Sequence, residues 1–96
     1  MSNFIAIDFE TANENKASAC SIGVIQFNKT KINKKFESLI RPPKDMDNLR
    51  SDFYRIHGIS RKSYIKSEYF PLVWEKLTEE INFSDSLVFA HNAGFD

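Results

Sequence analysis

The chain has 96 residues, of which 42% are hydrophobic and nine are Phe, so one folded domain or part of one is expected and disorder is not. Lys plus Arg and Asp plus Glu each number 13. This balance argues against a protein that binds nucleic acid mainly through a basic excess, and if nucleic acid is the partner, metal ions must supply part of the positive charge.

The single cysteine, Cys20, cannot form an internal disulfide, which is typical of a reducing compartment. The first residues have no basic segment before their apolar run, and an acid interrupts that run at position 8. No apolar segment approaches the roughly 18–20 residues that cross a bilayer. We expect a soluble cytoplasmic protein with no membrane partner.

The first half of the chain predicts three strands, near residues 3–9, 19–27 and 31–40. The first is a short apolar run, which is typical of a strand buried on both faces. The second is rich in β-branched residues, and its short connection to the third predicts an antiparallel hairpin. Pro42 ends the third strand because proline cannot donate to a ladder.

Residues 44–60 are charged and lack a clean period, which predicts a loop with one helical turn. Ser60 is a candidate N-cap for a short helix over 61–66.

Pro71 is well placed at the start of a helix. The apolar residues that follow recur at helical spacing and predict an amphipathic helix of about three turns with a buried face: Trp74, Leu77 and Ile81. Residues 86–90 predict a fourth strand, which should run parallel to the first because a helix crosses over between them. The predicted fold class is therefore α/β, a mixed sheet of three antiparallel strands, a crossover helix and a fourth strand.

Two carboxylates, Asp8 and Glu10, stand at the end of the first strand. A spacing of two places both side chains on one face, roughly 7 Å apart. Their mutual repulsion would be relieved by a divalent cation, and Mg²⁺ and Mn²⁺ prefer such oxygen ligands. The alternative is that both are ordinary surface acids where a strand reaches solvent.

A second group of polar residues, His91–Asp96, follows the fourth strand directly. Asn92 is a candidate N-cap for a helix that begins near Ala93, which would place Asp96 in the first turn. If the fourth strand lies beside the first, Asp96 can face Asp8 and Glu10. Alternatively, Asp96 only complements the helix dipole.

These segments resemble the motifs of the DEDDh family of 3′→5′ exonucleases, which includes the proofreading subunit of bacterial DNA polymerase III. Ile7–Ala12 (IDFETA) resembles the first motif and His91–Asp96 (HNAGFD) the second. Ile56–Ile59 (IHGI) matches a segment between them. The three occur in the family's order, and the resemblance extends over essentially the whole chain.

The resemblance implies a ribonuclease H-like fold and removal of 3′-terminal nucleotides by two-metal hydrolysis with Mg²⁺ or Mn²⁺. It implies that the catalytic and metal-binding residues are Asp8, Glu10 and Asp96. Asp8 would bind both ions, Glu10 the ion that activates water, and Asp96 the other. It implies nucleotide-binding roles for Thr11, His57 and Phe95, although the Phe95 ring could equally be part of the core.

The family's third motif, a His followed five residues later by an Asp, is not among these 96 residues. We therefore expect residues 1–96 to be the N-terminal part of a single exonuclease domain, weakly active or inactive by itself. A sheet left uncovered in such a part would favour self-association. The expected partners are DNA or RNA 3′ ends and a DNA polymerase or another replication protein. The alternative function is a non-catalytic module of the same fold that binds nucleic acid or a replication partner.

Overall fold

A computed structural model of the chain describes residues 3–92. The elements in this range are β1 (Asn3–Thr11), β2 (Ala19–Phe27), β3 (Ile32–Leu39), α1 (Ser51–His57), α2 (Arg61–Tyr64), α3 (Phe70–Glu80) and β4 (Ser86–Asn92). One turn of 3-10 helix, Lys44–Met46, precedes α1. The helix predicted to begin near Ala93, and with it Phe95 and Asp96, lies outside the described residues.

The four strands form one mixed sheet in the order β3-β2-β1-β4. β2 is antiparallel to both β1 and β3, whereas β4 is parallel to β1. The predicted mixed sheet and the position of β4 beside β1 are therefore confirmed. The parallel pairing follows from the crossover, because α3 carries the chain from one end of the sheet back to the other.

One face of the sheet packs against α3. Alternate residues of β1 and β2 point to this face, and α3 contributes Val73 and Leu77, which are 1% and 0% exposed. The buried cluster consists of Ile5, Ile7, Ile22, Val24, Phe36, Ile40, Val73, Leu77 and Ile81. The prediction that Trp74 is part of the core is wrong: it is 37% exposed. Val73 and Leu77 occupy the face towards the sheet, and Trp74 packs beside them in tilted contacts with the rings of Phe70 and Phe83.

The other face of β1 is open, contrary to the prediction of a strand buried on both faces. Asp8 is exposed on it, and Phe4 and Ala6 are only half-buried. Phe4 stacks on Phe27 and Phe89, although Phe89 remains 51% exposed. The carboxylates of β1 therefore lie on the face of the sheet opposite α3.

A second, smaller core lies under the segment that joins β3 to α3. Tyr64 of α2 is fully buried there with Ala12 and Cys20. The predicted cap of α2 is confirmed, since Ser60 Oγ accepts a hydrogen bond from Ser63 N–H at 3.2 Å. The helix ends at Tyr64, two residues before the predicted limit of 66.

The sequence predicts only a loop with one helical turn over residues 44–60. The structure has a seven-residue helix, α1, within this range. It has no side-chain N-cap and buries no residue, so neither a start signal nor an apolar stripe reveals it. Gly58, in the left-handed conformation with φ of 74°, does mark its end. None of the helices in the range 3–92 is long and apolar enough to cross a membrane.

Candidate active site

The site is built at the carboxyl end of β1, where Asp8 and Glu10 share the open face of the sheet. Asp8 lies opposite Gly23 of β2, and Glu10 lies opposite Ser21. Both carboxylates line an open groove of about 470 Å³. Asp8 is exposed, whereas Glu10 is half-buried. This arrangement agrees with the predicted side-by-side placement of the two acids.

The environment of Asp8 and Glu10 suits a divalent cation. The three ion pairs found within residues 3–92 involve other carboxylates, so neither acid is neutralised by a described Lys or Arg. Carboxylate oxygens of this kind are the ligands that Mg²⁺ and Mn²⁺ prefer. Asp8 and Glu10 are two ligands only, because residues 3–92 contain no group of three His, Cys, Asp or Glu that could hold a metal.

A third acid, Glu37 of β3, lines the same groove but is too distant to join the pair. Asp8 pairs with Gly23, and Gly23 pairs with Glu37 across the next strand. Two strand spacings separate their backbones by roughly 10 Å. On the other side of β1, His91 of β4 is in register with Asp8. The last described residue of β4, Asn92, is in register with Phe9, next to Asp8 in β1.

Thr11 directly follows a register shift in the pairing of β1 with β2. Glu10 pairs with Ser21 but Thr11 pairs with Ala19, so β2 has one extra residue, Cys20, at this point. Thr11 is 1% exposed, and its Oγ1 is buried without a hydrogen-bond partner in the described structure. A buried hydroxyl without a partner is costly, so this one is suited to a ligand or a water.

The surroundings of that hydroxyl include a small cavity of about 10 Å³, which is close to the space of one water molecule. Its lining consists of Glu10, Thr11, Phe53, Ile56 and His57. Phe53 was missed by the sequence analysis, and Ile56 was noted only as part of a motif. Their spacing of three on α1 is the signal that could have identified them as one face of a helix.

His57 uses both ring nitrogens to join α1 to the end of β1. The Ile59 N–H donates to Nδ1 at 2.9 Å, and Nε2 lies 3.0 Å from the Thr11 carbonyl oxygen. The predicted nucleotide-binding role of His57 would therefore have to use the face of the ring or act through Thr11.

A buried asparagine, Asn13, fastens the loop that follows β1. It is 3% exposed, and its Nδ2 donates to the carbonyl oxygens of Met46 and Asn48 at 2.9 and 2.7 Å. The Arg50 N–H donates to the Ala12 carbonyl beside it at 2.9 Å. The sequence analysis missed Asn13 because a polar residue in a polar segment gives no sign of burial.

Cys20, next to the site, is not equipped to act as a nucleophile or a metal ligand. Burial, reinforced by the negative charge of Glu10, raises the pKa of its thiol to about 12. The thiolate, which is the reactive and metal-binding form, is therefore scarce near neutral pH.

A separate groove of about 490 Å³ lies near the start of α3 and is almost entirely apolar. Its lining includes Phe9, Ile40, Pro42, Tyr69 and Phe70, and no carboxylate. Although it is as large as the groove that Asp8 and Glu10 line (the acidic groove), it lacks the carboxylate ligands that metal-assisted chemistry needs.

Four of the six predicted site residues are thus placed at one end of β1: Asp8, Glu10, Thr11 and His57. Phe95 and Asp96 lie outside the described residues, so their positions stay predictions.

Comparisons with known proteins bear on the family and on the fold of the chain. A family model described as Exonuclease matches residues 5–96, whereas no curated protein matches the chain. A full-length 3′-exonuclease superposes with a TM-score of 0.75 at 18% identity, covering 93% of this chain and 45% of that one. Cell-death related nuclease 4 gives 0.74 at 16%, covering 94% and 35%. The nuclease domain of 3′hExo, a DEDDh family member bound to rAMP, gives 0.68 at 21%, covering 93% and 51%.

At these identities the solved structures show a shared ribonuclease H-like fold. The chain spans about half of their length or less. The family model, by contrast, covers nearly every residue of the chain. The chain therefore belongs to the exonuclease family.

Proposed function

We propose that this chain contributes the metal-binding strand of a 3′→5′ exonuclease that removes nucleotides from DNA or RNA 3′ ends. The observation that carries the proposal is the pair Asp8 and Glu10, which share the open face of the sheet without a described cationic partner. Membership of the exonuclease family supports the reaction class.

Each residue has a role in this proposal. Asp8, Glu10 and Asp96 would hold two ions of Mg²⁺ or Mn²⁺, with Asp8 contacting both. Such ions, when bound, supply an activated water and neutralise charge on the scissile phosphate. Glu10 lines both the groove beside Asp8 and the small cavity beside Thr11, so it would join the two parts of the site.

Thr11 would receive the terminal nucleotide beside Phe95, and His57 would act on that nucleotide through Thr11. The Thr11 hydroxyl, which has no hydrogen-bond partner among the described residues, would gain one from a bound ligand, and this would remove the cost of its burial. Phe53 and Ile56 add apolar lining beside it, which suits the sugar or base of a nucleotide. One neighbour is described as recognising a histone mRNA stem-loop at its 3′ end, which supports a nucleic-acid 3′ end as the partner. A polymerase or replication partner, self-association and a cytoplasmic location stay predictions.

The central test is Mn²⁺ binding measured by calorimetry. Wild-type chain should bind Mn²⁺, and Asp8→Asn should weaken binding by about tenfold or more, since it removes one charged ligand of a hard cation. Asp45→Asn is the matched control, because Asp45 is exposed in the 3-10 turn, away from the groove. Equal binding by the Asp8 variant and wild type would contradict the proposed metal site.

Direction and substrate need a second measurement. At protein concentrations high enough to detect the weak activity expected of residues 1–96, oligonucleotides of DNA and RNA labelled at the 5′ end should yield a ladder of products shortened from the 3′ end with Mn²⁺ and none with EDTA. Release of the 5′-terminal nucleotide first would overturn the proposed polarity.

The second candidate is a non-catalytic module that binds nucleic acid or a replication partner. Such a module would rely on the Thr11 hydroxyl and the apolar lining beside it, which need no metal ion to contact a nucleotide. This candidate predicts oligonucleotide binding that is unchanged by EDTA and by Asp8→Asn, which is the opposite of the result expected for the nuclease.

A further inference from the structure

We propose that His57 is a positioning residue that holds the peptide after Thr11, and through it the nucleotide-binding end of β1. The two contacts that carry this are the 3.0 Å contact of Nε2 with the Thr11 carbonyl oxygen and the 2.9 Å contact of Nδ1 with the Ile59 N–H. The ligand of Thr11 depends on the proposed function. The two hydrogen bonds by which His57 holds Thr11 do not depend on it.

The two contacts specify one state of the ring. A backbone N–H can only donate, so Nδ1 facing Ile59 must accept and carries no proton. A carbonyl oxygen can only accept, so Nε2 facing Thr11 must carry the proton. His57 is therefore a neutral imidazole with its proton on Nε2, and the other tautomer would lose both hydrogen bonds.

Thr11 needs this support because it lies past the irregularity between Glu10 and Thr11, where the ladder shifts register. Its carbonyl is held by a side chain from α1. The same peptide unit carries the Ala12 N–H, which donates to the Ser18 carbonyl at 3.0 Å. One peptide is thus fixed from both sides, and the partnerless Thr11 hydroxyl lies just before it.

Two substitutions separate the two contacts of His57. In His57→Gln the amide nitrogen is at about the reach of Nε2, so the donor to Thr11 is kept and the acceptor for Ile59 is lost. In His57→Asn the amide oxygen is near the place of Nδ1, so the acceptor is kept and the donor is lost. If His57 only orders its own loop, the Asn variant should behave like wild type.

The primary readout is the affinity for AMP in the presence of Mn²⁺, measured by calorimetry on the chain and both variants. His57→Asn should weaken AMP binding by about tenfold, the effect of losing one hydrogen bond, while His57→Gln should stay within about threefold of wild type. Thermal unfolding of both variants provides the control for stability. A loss that is equal in both, or larger in the Gln variant, would overturn the proposal.

A second readout does not depend on ligand binding. Long-range proton–nitrogen correlation spectra should show that His57 carries a proton on Nε2 and none on Nδ1. Hydrogen exchange of the Ala12 amide should be faster in His57→Asn than in His57→Gln. If wild type binds neither Mn²⁺ nor AMP, the proposed function fails, and this readout alone decides the role of His57. A proton on Nδ1, or equal Ala12 exchange in the two variants, would overturn that role.

Discussion

Asp8 in β1 lies directly opposite Gly23 in β2, on the open face of the sheet. A Cβ added at Gly23 would meet no atom of the described chain within 4 Å, and its φ is not in the left-handed region. Glycine inside a strand is less favourable than alanine by about 0.5–1 kcal/mol. Since neither packing nor backbone conformation requires a glycine here, the feature that it supplies is space beside Asp8.

Substitutions at Gly23 should therefore separate stability from binding. Gly23→Ala should raise the free energy of unfolding by about 0.5–1 kcal/mol in denaturant titrations. Gly23→Leu, which extends into the acidic groove, should weaken Mn²⁺ binding by about tenfold, because it excludes the water and ligands around the ion. Ile25→Leu is the control, because it places a Leu on the same face of β2 without adding volume. Full Mn²⁺ affinity in Gly23→Leu would show that the space has no role in binding.

The sheet and α3 could be predicted because apolar residues recur along them at the spacing of a strand or a helix. The apolar runs of β1 and β2 are long enough to indicate strands, and the helical spacing of Leu77 and Ile81 selects the buried face of α3. The spacing of two within a strand also predicted that Asp8 and Glu10 would share a face. These features depend on local periodicity, which a single sequence displays.

Other parts of the site depend on contacts between residues distant in sequence. Asn13 is buried by residues 33 and 35 positions away, and its burial has no local signature. The register shift after Glu10 arises from pairing with β2. Trp74 satisfied the helical period but lies at the margin of the apolar stripe, so the period alone placed it wrongly in the core.

The metal assignments predict an order of effects among the acids. Asp8→Ala should weaken Mn²⁺ binding more than Asp96→Ala, because Asp8 is assigned to both ions and Asp96 to one. Calorimetric titration of both variants beside wild type provides the measurement. Equal losses, or a larger loss for Asp96→Ala, would contradict the assignment of Asp8 to both ions.

The buried amide of Asn13 should matter for stability. Asn13→Ala removes the donor to the Met46 and Asn48 carbonyls and should lower the free energy of unfolding by about 1–3 kcal/mol. Denaturant titration measures the change. Asn33→Ala is the control, since Asn33 is exposed and its contacts are 3.4 Å long, so its effect should stay within about 0.5 kcal/mol. A similar loss in both variants would argue against a special role for the Asn13 contacts.

Two buried groups make the fold sensitive to alkaline pH. Burial, followed by the charge of Glu10, raises the pKa of the Cys20 thiol from 9.0 to about 12. Burial, with a smaller effect from Cys20, raises the pKa of Tyr64 from 10.0 to about 12. In the unfolded chain both groups lose their protons at lower pH than in the folded chain. At a pH between a group's pKa in the unfolded chain and its pKa in the folded chain, the unfolded state binds fewer protons than the folded state. The free energy of unfolding therefore falls as pH rises through this range.

The free energy of unfolding should thus be fully retained below about pH 9 and decline towards pH 12, each group contributing at most about 1.4 kcal/mol per pH unit. Cys20→Ala should lower stability at neutral pH through lost packing, yet flatten the alkaline decline, because one of the two titrating groups is gone. Tyr64→Phe should flatten it as well, whereas Tyr54→Phe, which alters a 45% exposed ring, should not. Denaturant titrations at a series of pH values measure these slopes directly. If the free energy of unfolding fell with the same slope above pH 9 in wild type and in Cys20→Ala, the thiol would not be held protonated by its burial beside Glu10.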